Sequence, residues 1–138
     1  MTRSQAAVSG LQDCLALEHE ALWVYAYLGA RITAADEAAH RAFGNHRESR
    51  DVLITMLRAS ASAQPAPRAD YDVTKVNTRR QASAIATSIE TKSAAAYLSL
   101  VGVSEGKDRK FAITALRKAA LEILLWGGKP SAFPGLPS

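Results

Sequence analysis

The stretch "LALEHEALWVYAYLGARI", Leu15 to Ile32, has the period of an amphipathic helix, yet carries Glu18, His19 and Glu20 inside an apolar run. At about 100° per residue, Leu11, Leu15, Ala21, Leu22, Tyr25, Leu28, Gly29 and Ile32 form one apolar arc, with Glu18 near its centre. His19 falls at the edge of that arc, and Glu20 lies on the far side with Asp13 and Arg31. Glu18 is therefore the acid this helix buries. A buried carboxylate is costly unless it meets a cation, a metal ion, a hydrogen-bond donor or a proton.

The helical pattern continues outward. Apolar periodicity and end signals predict helices over about 4–32, 35–60, 75–104 and 107–126. Thr33, Asp36 and Glu37 suit the start of the second helix, and Gly106 breaks the third from the fourth. Both connections are short, so each pair should form an antiparallel hairpin. Between the hairpins, the Pro-, Ser- and Ala-rich segment at about 61–74 stops the second helix and favours an extended path. Its roughly fourteen residues reach about 45 Å. A helix of about 26 residues is only about 39 Å long, so the segment can cross the whole bundle.

The hairpins bring acids to one depth. With turns near Ala34 and Gly106, Ser49 and Arg50 are level with Glu18, and Glu90 is level with Glu122. His46 lies one turn away, near the centre of the second helix's apolar arc. Glu18, His46 and Arg50 are thus expected to form a buried polar network. Carboxylates from three helices can also share a layer, as they do in di-iron bundles.

The chain has 138 residues, 48% hydrophobic and 22% charged, which suits one globular domain spanning 1–138. Seventeen basic residues against thirteen acidic ones give a net charge of +4, and the basic residues are dispersed over several segments. That dispersal argues against a nucleic-acid footprint. Cys14 is the only cysteine, so no internal disulfide can form. With no secretory core and no membrane-spanning run, the expected location is cytoplasmic. Cys14 reads as a buried structural thiol, and Ser93 as a hydroxyl bonded back to its own helix.

Taken together, "EHEALWVYAYLGARI", "HRESRDVL", "IETKSAAAYLSLV" and "WGGKPSAFPGL" resemble the actinobacterial ferritin-like domain-of-unknown-function family 4439. The resemblance implies an all-α, ferritin-like four-helix bundle, two antiparallel hairpins joined by a long crossover. It implies no established activity. The wider superfamily uses a lone Glu on the first and third helices and Glu-x-x-His on the second and fourth. Glu18 and Glu90 match the lone carboxylates. The second helix offers only Phe43-Gly-Asn-His46 or His46-Arg-Glu-Ser49, and the fourth, Glu122-Ile-Leu-Leu125, has Leu in place of His. A dinuclear centre needs about six inward ligands. No metal, cofactor or catalytic residue is therefore expected. If a site exists, it is Fe or Mn on Glu18, His46, Glu90 and Glu122.

Trp23 and Tyr27 lie outside the apolar arc, one turn apart. They are interface candidates for a homodimer, unless the crossover or the tail at about 127–138 covers them. Phe133, Pro134 and Leu136 in that tail should clamp the bundle. The leading expectation is a non-catalytic homodimeric binding or scaffold protein with a degenerate metal centre. The alternative is a di-iron or di-manganese carboxylate oxidoreductase, and a weaker one is a DNA-protecting ferritin-like protein. The ligand or protein partner is left open.

Overall fold

The computed structural model describes residues 2–137. Four helices, α1 (Gln5–Arg31), α2 (Asp36–Ala59), α3 (Arg79–Val103) and α4 (Gly106–Leu125), build an all-α four-helix bundle, and a single 3-10 turn, Thr33–Ala35, joins the first pair. There is no strand among the described residues. Ser4 caps α1 by accepting from the Ala7 N–H, and Asp36 and Glu37 occupy the first turn of α2, where the helix dipole favours acids.

The main departure from the sequence expectation is the start of α3. Thr78 and Gln81 form a capping box, each side chain accepting from the other's backbone N–H, and this fixes the helix start at Arg79. The preceding residues stay extended, and Val76 is fully buried there.

The connection between the hairpins runs the length of α1. Gln12 Nε2 donates to the Ala63 carbonyl, and His19 Nε2 lies 3.0 Å from the Pro65 carbonyl oxygen. Tyr71 packs on Trp23, and Arg31 Nε donates to the Val76 carbonyl. The segment thus starts α3 at the end of the bundle where α2 began. α1 and α3 are in turn antiparallel: Gly10 approaches Leu100 and Val103 closely, while Tyr25 meets Glu90 further along. A Cβ on Gly10 would stand 3.1 Å from Leu100, so the small residue sets the approach.

The apolar interior falls into two clusters. One, near the α1–α2 turn, contains Tyr25, Leu28, Ile32, Ala39, Val76, Ile89 and Trp126. The other, at the opposite end, contains Leu11, Leu15, Leu53, Leu57, Tyr97 and Leu100. Along the helices, Glu18, His46 and Glu90 lie between them, so a polar layer divides the core.

The tail does not form the full expected clamp. Phe133 and Leu136 are exposed, Pro134 is half-buried, and the closest approach to the bundle is at Gly135. Its φ of +93° and the 2.7 Å between an added Cβ and the Ala94 carbonyl oxygen leave room for glycine alone. No helix among the described residues is long and apolar enough to cross a membrane.

Candidate functional site

The heptad-like spacing that buries one face of α1 also points Glu18 inward, where it is 1% exposed. α2 presents His46 to the same layer, and α3 presents Glu90, which is completely buried. His46 lies between the two acids. Its Nδ1 is 2.7 Å from Glu18 Oε2, and its Nε2 is 2.9 Å from Glu90 Oε2. With a carboxylate oxygen at each ring nitrogen, the doubly protonated imidazolium donates on both sides. Burial opposes that charge. The charge of Glu18 and the hydrogen bonds to Glu18 and Glu90 outweigh burial and push His46 up to about 10.

Each acid also receives a phenol. Tyr97 donates to Glu18 Oε1 at 2.7 Å, and Tyr25 donates to Glu90 Oε2 at 2.5 Å. Burial, then the neighbouring carboxylate charges, hold both phenols well above their ordinary range, so they stay protonated donors. The Tyr25 ring further stacks on the His46 ring, with centroids 5.5 Å apart.

Glu122, on α4, is satisfied separately. Arg41 grips it as a fork, Nε to Oε1 at 2.9 Å and Nη2 to Oε2 at 3.1 Å, and the Trp126 indole N–H adds a third bond at 3.0 Å. Glu18, His46, Glu90 and Glu122 do line one narrow cavity of about 10 Å³, room for a single water-sized group. Two polar atoms of its lining residues, Glu90 Oε1 and Ser93 Oγ, have no hydrogen-bond partner in the protein. Ser93 therefore lacks the bond back to its own helix that the sequence led one to expect.

Arg50 does not join the network. It extends to the surface and pairs with Asp51 at 2.9 Å, where a long charged side chain keeps its hydration. Cys14 is buried, and burial followed by the charge of Glu18 pushes its thiol far up, so it stays a neutral packing group. Trp23 and Tyr27 stack on one another at 5.6 Å, and Tyr71 of the crossover covers Trp23. The tail lies elsewhere, against α3.

Reading the helices one at a time places Glu18 and His46 in the layer but misses Tyr25, Tyr97 and Arg41 as partners. A signal is present: Glu18 and Tyr25 on α1, and Glu90 and Tyr97 on α3, share the same two-turn spacing. Arg41 carries no comparable mark, because it lies at the exposed edge of α2 and only the fold brings α4 to it.

Every carboxylate oxygen in this layer except Glu90 Oε1 is thus engaged by a donor. The separations are those of hydrogen bonds. No group of three or more His, Cys, Asp and Glu side chains among the described residues is arranged to hold a metal ion.

Two likenesses to known proteins bear on this site. The profile of the family described as "Domain of unknown function (DUF4439)" matches residues 10–138. The fold is also similar to the crystal structure of a conserved hypothetical protein from Mycobacterium tuberculosis, at 30% identity and a TM-score of 0.84, covering 91% of this chain and 97% of that one. No curated protein matches the chain.

Proposed function

This chain belongs to the DUF4439 family, and we propose that it is a ferritin-like bundle in which an internal cation has replaced the metal centre. On this reading it acts as a non-catalytic, homodimeric binding or scaffold protein. The observation that carries the proposal is His46, whose imidazole fills the space between Glu18 and Glu90 and engages both.

A metal centre of the ferritin-like kind draws its charge balance from carboxylates that converge on the ions. Here that balance is supplied from within. His46 faces Glu18 and Glu90, and Arg41 neutralises Glu122 through both oxygens. α4 lines the cavity with Ala115, Lys118, Ala119 and Glu122 and no imidazole, and the Lys118 ammonium lies 3.6 Å from Glu48 at the surface. The residues present do not fit a dinuclear centre. An ion placed between Glu18 Oε2 and Glu90 Oε2 would have to displace His46 from two charge-assisted hydrogen bonds.

Metal analysis of protein purified without chelator tests this. The expected result is substoichiometric Fe, Mn and Zn, with no ferroxidase activity. Two tightly held ions per chain would overturn it in favour of the carboxylate-oxidoreductase reading.

A further inference from the structure

The groove between the C-terminal half of α1 and the N-terminal half of α2 borders the polar layer at Tyr25 and has a volume of 340 Å³. Ala26 and Ala30 form its α1 wall, and Asp36, His40, Phe43 and Arg47 form a ridge along α2. It is open because the crossover, which follows α1 over Gln12 and His19, has by Arg31 moved to the α3 side.

Two features of the groove bear on what could occupy it. The first is its charge. Asp36 and Arg47 stand on nearly the same face of α2, and the three turns that separate them span about 16 Å. They cannot reach each other, and neither has an ion-pair partner among the described residues. The second is Gly44, beside the ridge in mid-helix. A Cβ there would meet nothing within 4 Å, so no contact inside the chain requires glycine, although glycine costs a helix about 0.5–1 kcal/mol relative to alanine.

We propose that this groove receives the α2 ridge of a second copy, with the two α2 helices antiparallel across a two-fold axis near residues 41 and 42. The inference rests on the homodimeric reading above and gives it an interface. An antiparallel α2 places Asp36 of each copy opposite Arg47 of the other, twice, and brings Phe43 against His40. A small ligand that neutralised one end would leave the other charge unpaired, whereas an isologous contact satisfies both. Gly44 then serves close approach of the two helices.

The test uses sedimentation velocity on the full chain, with circular dichroism to confirm that helicity is kept. Wild-type protein is expected to be dimeric at tens of micromolar. Asp36→Arg and Arg47→Asp each oppose like charges twice, so each should raise the dimer dissociation constant at least tenfold. An equimolar mixture of the two variants should recover it. In the mixed dimer the introduced arginine of one chain faces the introduced aspartate of the other, and the native Arg47 of the first faces the native Asp36 of the second. Gly44→Leu should weaken the dimer without altering charge. A dimer indifferent to all three substitutions, or variants that weaken but do not rescue one another, overturns this interface and leaves the homodimeric reading standing. A monomeric wild-type protein overturns both.

Discussion

Tyr97 donates its phenol to Glu18 across 2.7 Å, and exchanging the helices gives the companion contact from Tyr25 to Glu90 at 2.5 Å. On each helix the acid precedes the phenol by two turns, so antiparallel packing of α1 on α3 sets both pairs at once. The two tyrosine–glutamate pairs are related by a local two-fold, and His46 breaks it, sharing Glu90 Oε2 with Tyr25 but taking the Glu18 oxygen that Tyr97 leaves. α2 sends an imidazole into the space that α4 lines with Ala115, Lys118, Ala119 and Glu122. One cation therefore faces two carboxylates, with the apolar clusters sealing it from both ends.

Glu18 should be costly to remove. Glu18→Ala takes the Nδ1 partner from a buried imidazolium and the acceptor from the Tyr97 phenol. Breaking a buried pair by deleting one member costs about 3–5 kcal/mol. Glu18→Gln keeps the shape and an acceptor oxygen, so it should cost less. Denaturant unfolding of the two variants measures the difference. A negligible effect of Glu18→Ala would show that the pair does not stabilise the fold.

The pH profile follows from His46. Its pKa is about 10 in the folded chain, against 6.5 as the ordinary value. Below pH 6.5 both states hold the proton, and its stabilisation is fully present. As pH rises, the unfolded chain loses the proton and the folded chain keeps it, so stability should fall by about 1.4 kcal/mol per pH unit until the folded group titrates. The raised Cys14 thiol adds to the decline near pH 9, and the two buried tyrosines add only above pH 10. The slope between pH 7 and 8.5 therefore isolates His46. A flat midpoint across that range would mean the ring is neutral.

The two-hairpin fold was legible in the sequence because it rests on patterns that act locally. Apolar periodicity, the short turns and a linker long enough to span a helix each constrain the chain without knowledge of its neighbours. The layer was half legible for the same reason. Glu18 and His46 sit at the centres of their own arcs, so burial follows from one helix at a time. Glu90 and Glu122 fall at arc boundaries on a wheel, and only packing against α1 and α2 encloses them. Arg50 misleads because position along a helix face does not set direction, and its side chain turns to the surface and Asp51. The missing tail clamp has a similar cause. Apolar residues after a helix can pack back, but Gly135 docks the tail in a way that leaves Phe133 and Leu136 largely exposed.

Tyr25 links the apolar Trp126 to the layer, since it stacks on Trp126 as well as on His46. Tyr25→Phe preserves the ring and removes only the donor to Glu90, whose other oxygen already lacks a partner. Loss of a hydrogen bond to a charged group should cost about 1.5–3 kcal/mol. Tyr97→Phe should cost a similar amount at Glu18. Thermal unfolding of the pair of single variants and of the double variant would show whether the two halves act independently.

On the reading proposed above, a metal ion should be able to take the place of His46. His46→Ala leaves Glu18 Oε2 and Glu90 Oε2 facing a space the size of an imidazole, with no cation between them. Removing the charge partner should destabilise the metal-free variant by about 3–5 kcal/mol. The same vacancy offers a divalent cation two carboxylates from opposed helices, and Glu122 lines the adjoining cavity. Manganese or zinc at a hundred times its dissociation constant would restore about 2.7 kcal/mol by binding the folded state alone. For a chain of this size that corresponds to a rise in Tm of roughly 5–15 °C. Wild-type protein should show no such rise, because its imidazolium already occupies the position. Adding Glu90→Gln to His46→Ala should abolish the metal effect, which separates binding in the layer from binding at surface acids. If His46→Ala folds and its melting temperature ignores millimolar metal, the two carboxylates do not form a cation site, and His46 is a packing partner of the acids instead of a substitute for an ion.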